Sequence, residues 1–282
     1  MCLYAQFLSR SFKAVGSIRN YVAAVRLLHK LLEYTAVSCD AIELRLTLQG
    51  IARLSRHLAR QAAPMTPELL LAMSERLDLS KPFDATIWCL FLFPFFAMAR
   101  KSNLVPADKN SFDKDKQLVR GRVLEGKGCL LLFWSWAKNI QFGNRVHKIP
   151  LLEIPGSKLC PVWAFRNMCT LVPVPQQHPA FCLHSKGNIV PITYPQFNSA
   201  LKALIKKVGK DPQEFSSHSF RRGGATCAFK AEVPDTLIQL HGDWASDCYK
   251  RYLHMGLEEK KGVSQKIGRL VAQVTSQQVN SQ

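Results

Sequence analysis

The chain of 282 residues is poor in acidic side chains. It has 20 Asp and Glu against 38 Lys and Arg, a formal charge of +18. Residues 1–63 carry nine basic and three acidic side chains (+6), which leaves +12 for the rest of the chain. A folded protein with this much positive charge usually binds a polyanion. Because the charge is spread along the chain, a long polyanion such as nucleic acid suits it better than a small ligand.

Long apolar runs and cysteine pairs are lacking too. The longest apolar run, residues 87–99, has thirteen residues and contains Pro94, whereas a membrane-spanning helix needs about 20. This run therefore predicts a buried core helix, and no secretory signal is visible at the N-terminus. The nine cysteines are odd in number and include no Cys-x-x-Cys pair. We expect reduced core cysteines in an intracellular protein, without disulfides or zinc ligands.

Residues 1–63 are predicted to form a small helical domain. Apolar residues recur at helical spacing over residues 17–34 and about 39–60, and basic residues lie largely off these stripes. The stripes are Ile18, Tyr21, Val22, Val25, Leu28 and Leu32 in the first helix, and Leu44, Leu48, Ile51, Leu54 and Leu58 in the second. A solvated basic face would explain one such helix, but two in a chain of this charge favour a surface that faces DNA.

A boundary follows at residues 62–67, where Thr66-Pro67-Glu68 is typical of a helix start. Residues 64–282 then form a larger domain. Its predicted helices span residues 67–76, 84–100, 160–171, 194–208, 219–231 and 234–239, with a weak one at 262–274. Three predicted strands, residues 118–123, 129–136 and 145–150, have a period of two and short connections. The expected fold class is mainly α with a small antiparallel β-sheet (α+β).

Four local patterns could carry chemistry, although each has an ordinary structural explanation. A cation at a helix C-terminus, a solvated lysine in a turn, helix-capping serines and core aromatics are all common. The patterns are Arg100 at the end of the apolar helix, Lys138 between two strands, residues 217–224 (SHSFRRGG), and residues 242–246 (GDWAS) followed by Tyr249 and Tyr252.

Together, the order Arg…Lys…His-x-x-Arg…Trp…Tyr resembles the active-site pattern of the tyrosine recombinases, the phage-integrase family. Residues 218–226 (HSFRRGGAT) and 242–254 (GDWASDCYKRYLH) look like the recombinases of eukaryotic mobile elements of Crypton, Ngaro and DIRS type. The resemblance covers nearly the whole chain. It implies a SAM-like helical core-binding domain that grips DNA, followed by a catalytic domain with a three-stranded sheet among helices.

The resemblance also implies an activity and its partners. A site-specific recombinase of this family cuts and rejoins double-stranded DNA through a 3′-phosphotyrosyl intermediate, here for the integration of a mobile element. It would act as a homo-tetramer on two DNA duplexes, without metal or cofactor and without a membrane. If the source is eukaryotic, it would act in the nucleus.

Cutting DNA without a metal requires a nucleophile, cations that stabilise the phosphorane, and an acid that protonates the 5′ oxygen. Arg100 and Arg221 suit the phosphate because a guanidinium binds two oxygens at once and stays charged. By the family pattern, His218 would bind the phosphate and Lys138 would be the acid. Trp244 takes the place of the usual bacterial histidine, and its indole N–H can donate to a phosphate oxygen but cannot shuttle a proton.

The nucleophile is assigned by spacing. Family members carry it eight or nine residues after the position of Trp244, which selects Tyr252, whereas Tyr249 is only five residues on. The sequence that follows Tyr252, Leu253-His254, also resembles the family's common ending. Tyr249 remains the alternative nucleophile.

The lysine assignment is open to rivals, because turns between short strands are hard to register from sequence. Lys127 and Lys148 could take the place of Lys138. Arg222 matches no catalytic role and is interpreted as a contact to the DNA backbone or a structural residue.

Other functions are conceivable for the same residues. A domesticated DNA-binding protein that has lost catalysis would keep the basic charge, although here all six positions hold chemically competent residues. An RNA-binding protein ranks lower, since few aromatic–basic clusters of the stacking kind are present. A type IB topoisomerase shares the chemistry but does not exchange strands between sites.

Overall fold

The computed structural model describes residues 1–34, 41–55, 61–135, 146–251 and 253, together with 261, 265, 267 and 268. The chain forms two compact units, Met1–Gln61 and Ala62–Gln282. The first unit therefore ends at residue 61, two residues before the predicted end of the first domain at residue 63. Helices dominate and the main sheet is small and antiparallel, which confirms the predicted α+β class.

The first unit contains helices α1 (Cys2–Ser9), α2 (Val15–Leu31) and α3 (Ile42–Ser55). Its small core is Ala5, Leu8, Ile18, Val22, Leu44, Leu48 and Ile51. The predicted stripes are therefore buried only in part: Leu28 is 53% exposed and Leu54 85%. Leu58 lies outside the described residues.

The second unit begins with α4 (Pro67–Ser74) and α5 (Pro82–Phe96). As predicted, Thr66 caps α4, since its hydroxyl accepts a hydrogen bond from the amide of Leu69 at 3.2 Å. Helix α5 is apolar on all sides, and every residue from 85 to 95 is buried. The prediction that this helix runs to Arg100 is wrong. Met98 has a φ of 47°, which a right-handed helix does not allow, so Arg100 lies in extended backbone beyond it.

The main sheet consists of β1 (Val123–Gly126), β2 (Cys129–Trp134) and β3 (His147–Leu152). The strands are antiparallel, as predicted, and lie in the order β1-β2-β3. The first strand begins later than predicted, because residues 120–122 form a 3₁₀ turn. The amides of Arg120 and Gly121 donate to the carbonyls of His178 and Gln176, not to a neighbouring strand.

Four more helices end within two residues of their predicted ends: α6 (Pro161–Leu171), α7 (Tyr194–Lys207), α8 (Ser217–Lys230) and α9 (Asp235–His241). Most of the weak helix predicted at 262–274 lies outside the described residues. Among the residues described, no helix has the length and apolar character needed to cross a membrane.

A second, two-stranded sheet was not predicted from the sequence. Strands β4 (Cys182–Ser185) and β5 (Asn188–Pro191) form a hairpin. The two residues of its turn, Lys186 and Gly187, have φ values of 49° and 79°, as a type I′ turn requires. The sequence Ser-Lys-Gly-Asn predicts such a turn only weakly, because a lysine seldom takes the first left-handed position.

Candidate active site

Helix α8 lies very close to α5, and this approach brings its polar residues to the end of α5. Gly224 makes this contact possible, and its neighbour Gly223 lets α8 approach the segment just before α4. A Cβ atom at Gly223 would overlap the carbonyl oxygen of Met65, and one at Gly224 would overlap that of Phe95. Ser216 fixes the start of α8, since its hydroxyl accepts a hydrogen bond from the amide of His218 at 3.2 Å.

Arg221 is locked in place by backbone carbonyls. It is only 2% exposed. Its Nη2 donates to the carbonyl of Gly242 at 2.6 Å, and its Nη1 donates to the carbonyl of Met98. The guanidinium carbon lies 3.9 Å from the centroid of the Trp244 ring. The plane of this cation is therefore set by two segments distant from it in sequence, the one after α5 and the one after α9, before any ligand binds.

Arg100 is the more accessible of the two arginines. It is half-buried and follows α5 in an extended conformation, with φ −83° and ψ 146°. It lines a narrow cavity together with Arg221, Trp134, His147 and Gly242. Within the described part of the chain, its guanidinium has no hydrogen bond or ion pair with the protein. Its fork of donors is therefore available to an anion.

His218 lies at the surface beside these cations. Desolvation lowers its pKa, and the positive charges of Arg221, Lys101 and Arg100 lower it further. The imidazole is therefore mostly neutral at pH 7, with one nitrogen that donates and one that accepts a hydrogen bond. Because three cations act on one ring, the site is strongly positive and suits a phosphate.

Trp244 and Tyr249 are buried against each other. Their ring centroids lie 6.1 Å apart, and they share an apolar cluster with Met98, Ala225 and Ile238. Tyr249 is 2% exposed. Its pKa is raised by desolvation and by a hydrogen bond with Asp235. Both effects oppose formation of the phenolate, so Tyr249 has the environment of a core residue.

Lys138 and Tyr252 both lie outside the described residues, but the elements around them are described. The β2–β3 ladder ends at the pair Trp134–His147, and the turn position of Lys138 between these two strands stays a prediction. Leu253 packs against the cluster of Trp244 and Tyr249.

Both rival lysines lie within the described part of the sheet. Lys127 is in the β1–β2 turn, next to the Gly126–Cys129 pair. Lys148 is on β3, with its Nζ 5.8 Å from the centroid of Phe133. Among the described residues, no cluster of three or more His, Cys, Asp or Glu side chains could hold a metal. The seven cysteines whose side chains are described are free thiols.

Sequence reasoning missed two features of this site. It did not predict the stacking of Arg221 on Trp244, because Trp244 lies in the irregular segment after α9, far from Arg221 in the sequence. It also overlooked Lys101, which follows Arg100 directly and lies over the ring of Tyr194. A second cation next to a candidate arginine was the only sequence signal for it.

Comparison with known proteins gives structural matches only. No protein-family model and no curated protein matches the chain. The XerH site-specific recombinase in a pre-cleavage complex with its difH substrate is 16% identical, with a TM-score of 0.52 over 86% of this chain and 75% of that one. The Tn1549 transposon integrase in complex with circular intermediate DNA is 14% identical, with a TM-score of 0.54 over 93% and 83%.

A second XerH structure, the post-cleavage complex with palindromic difH substrate, is 16% identical with a TM-score of 0.50. The match covers 70% of this chain and 50% of that one, so the chain spans about half the length of that relative. At these identities the likeness shows the fold, which is that of the tyrosine recombinases.

Proposed function

We propose that the protein is a site-specific DNA recombinase that cuts and rejoins DNA strands through a 3′-phosphotyrosyl intermediate, without a metal. One observation carries the proposal. An arginine free of protein partners in the described residues, Arg100, shares a cavity with a backbone-locked one, Arg221, beside a neutral histidine. The fold supports it, since XerH and the Tn1549 integrase are named as a recombinase and an integrase.

In this mechanism Arg100 and Arg221 clamp the scissile phosphate. Their charges stabilise the five-coordinate phosphorane, and loss of one such pre-aimed donor typically costs about 10²–10³ in rate. Trp244 acts mainly through Arg221, because its ring covers the guanidinium plane. His218 donates a hydrogen bond to a phosphate oxygen in its neutral form.

Tyr252 is the proposed nucleophile and Lys138 the proposed acid. The burial of Tyr249 favours Tyr252, since a phenol that must reach phosphorus cannot stay in an apolar cluster. Lys138 would protonate the departing 5′ oxygen from the β2–β3 connection. An ammonium can release a proton in this role, whereas a guanidinium cannot.

The proposed substrate is double-stranded DNA of a mobile element of Crypton, Ngaro or DIRS type, and the proposed location is intracellular, in the nucleus if the source is eukaryotic. The motifs of residues 218–226 and 242–254 support this reading. The net charge of +18 supports binding to a long polyanion.

We further propose that the active form is a homo-tetramer on two DNA duplexes. The C-terminal apolar stripe consists of Val263, Ile267, Leu270, Val271 and Val274, of which Ile267 is described and is 58% exposed. An apolar groove of about 730 Å³ lies between the end of α5, β3, α8 and α9. The stripe of a neighbouring copy is its proposed occupant, and the stripe of the same chain is the competing one.

A nicked suicide DNA that carries the element's own ends tests the activity. The wild-type protein should form a covalent adduct that resists denaturation, and Tyr252→Phe should form none while its DNA affinity stays nearly unchanged. Tyr249→Phe is the matched control and should still form the adduct. An adduct with Tyr252→Phe but not with Tyr249→Phe would make the nucleophile assignment wrong, and adducts with both would exclude the mechanism.

The same assay separates the acid from its rivals. A substrate with sulfur in place of the 5′ leaving oxygen needs little protonation. It should rescue Lys138→Ala but not Tyr252→Phe, whereas Lys127→Ala and Lys148→Ala should need no rescue. If the wild-type protein binds DNA but never forms an adduct, the alternative of a domesticated, non-catalytic DNA-binding protein replaces the proposal.

A further inference from the structure

Lys101 is a third cation beside the candidate site, since its charge acts on His218 together with those of Arg100 and Arg221. It follows Arg100 directly and begins a single 3₁₀ turn, residues 101–103. Its side chain is exposed, and its Nζ lies 3.3 Å from the centroid of the Tyr194 ring. In the described ranges of the chain it has no carboxylate partner, unlike Lys81, which pairs with Asp78 at 3.2 Å.

Tyr194 is itself well anchored. It is the first residue of α7, and its amide donates to the carbonyl of Pro106 at 2.9 Å. Its half-buried ring stacks on Phe197, a core residue, with centroids 6.4 Å apart and planes 20° from parallel. An exposed lysine normally samples many rotamers, but an aromatic face attracts the ammonium and limits them. Lys101 therefore has a set direction without a counter-ion.

The charge of Lys101 acts on the same site as the two arginines. It is one of the three cations that lower the pKa of His218, with Arg221 and Arg100. An ammonium that is directed by a ring, close to a phosphate site and without a carboxylate partner is suited to bind a second phosphate. Along a DNA strand the next phosphate is the nearest anion.

We propose that Lys101, held by Tyr194, binds the DNA backbone phosphate next to the one clamped by Arg100 and Arg221. This inference rests on the proposed function. Lys101 is a substrate-binding residue that fixes the register of the strand, and Tyr194 is its positioning residue. The site then grips two successive phosphates instead of one.

The salt dependence of DNA affinity reports how many phosphates the protein contacts. Each phosphate contact contributes about 0.9 to the slope of log affinity against log salt. When salt rises from 50 to 200 mM, the fold-loss of DNA affinity should therefore be about 3.5 times smaller for Lys101→Ala than for the wild type. Lys101→Arg keeps the charge and should keep the slope. Lys81→Ala, a lysine already paired with a carboxylate, is the control and should leave the slope unchanged.

Neutral methylphosphonate linkages locate the contact. In a series of duplexes that carry the element's end, one neutral linkage next to the scissile phosphate should weaken wild-type binding but have no further effect on Lys101→Ala. Tyr194→Leu should reduce the loss of binding that this neutral linkage causes. Tyr194→Phe keeps the ring and should leave that loss unchanged. An unchanged salt slope, or the same methylphosphonate profile in wild type and Lys101→Ala, would overturn the inference.

These measurements use uncleaved DNA, so they separate the two proposals. If the wild type forms no covalent adduct but Lys101→Ala changes the slope and the profile, the recombinase proposal fails and the phosphate contact stands. If the adduct forms and Lys101→Ala changes neither, only the role of Lys101 fails.

Discussion

Replacement of Gly224 by Ala tests the close contact that builds the site. The added Cβ would overlap the carbonyl oxygen of Phe95, far inside the 3.0 Å that real Cβ contacts keep, and would lie 3.3 Å from Cγ of Met98. A backbone carbonyl cannot rotate away as a side chain can. Helix α8 must therefore move from α5, by on the order of 1 Å, and Arg221 moves with it.

The sign of the stability change follows from two opposing terms. Alanine in place of glycine inside a helix stabilises by about 0.5–1 kcal/mol. Overpacking of this kind costs about 1–3 kcal/mol, and contact with rigid backbone places the cost at the upper end. The net loss should be about 2 kcal/mol, which lowers the melting temperature by about 4–8 °C for a unit of this size.

Cleavage should fall more than stability does. A displacement of about 1 Å in a reacting group can cost about 10² in rate, so Gly224→Ala should form the covalent adduct at least that much more slowly at a temperature where it is folded. Gly50→Ala is the control: a Cβ there has nothing within 4 Å, so α3 should become slightly more stable. If Gly224→Ala melts and cleaves as the wild type does, the described contact between α8 and α5 is wrong.

Three further predictions concern the whole protein. With about eight phosphates contacted, DNA affinity should fall by about 10³–10⁵ between 50 and 200 mM salt, and a nearly flat titration would count against a protein that wraps DNA. Cleavage should persist in EDTA, because arginines supply the charge that a metal would; loss in EDTA with recovery in magnesium would exclude the tyrosine mechanism. Deletion of residues 262–282 should leave DNA binding intact but impair strand exchange, and full recombination by the truncated protein would refute the docking role of the C-terminal stripe.

The sequence by itself determined the elements of the fold, because their signals are local. Helical spacing and caps placed α4 and α6 to α9, and a change of period to two placed the three-stranded sheet. Thr66 and Pro67 gave the start of α4 to the residue. The catalytic roles of Arg100, His218 and Arg221 could be proposed from the order of their motifs, since these residue types suit phosphate chemistry wherever they stand.

Local signals failed where the partner of a segment decides its structure. The apolar stripe of α2 continues through Leu28, yet only Ile18 and Val22 are buried, since periodicity shows which residues share a face but not what covers it. Helix α5 stops before Arg100 because Met98 takes a left-handed conformation. In this conformation its carbonyl accepts a hydrogen bond from Arg221. No residue pattern near Met98 predicts this long-range hydrogen bond.

Only the tertiary structure decided how the candidate site is built. It brings Arg100 and Arg221 into one cavity, stacks Trp244 on Arg221, and buries Tyr249 in the cluster beside them. It also directs Lys101 with the ring of Tyr194, a residue of a distant helix. Each of these relations joins segments far apart in the chain. The physical reason is that residue type and spacing set what a side chain can do, whereas the packing of α8 against α5 sets which side chains can act together.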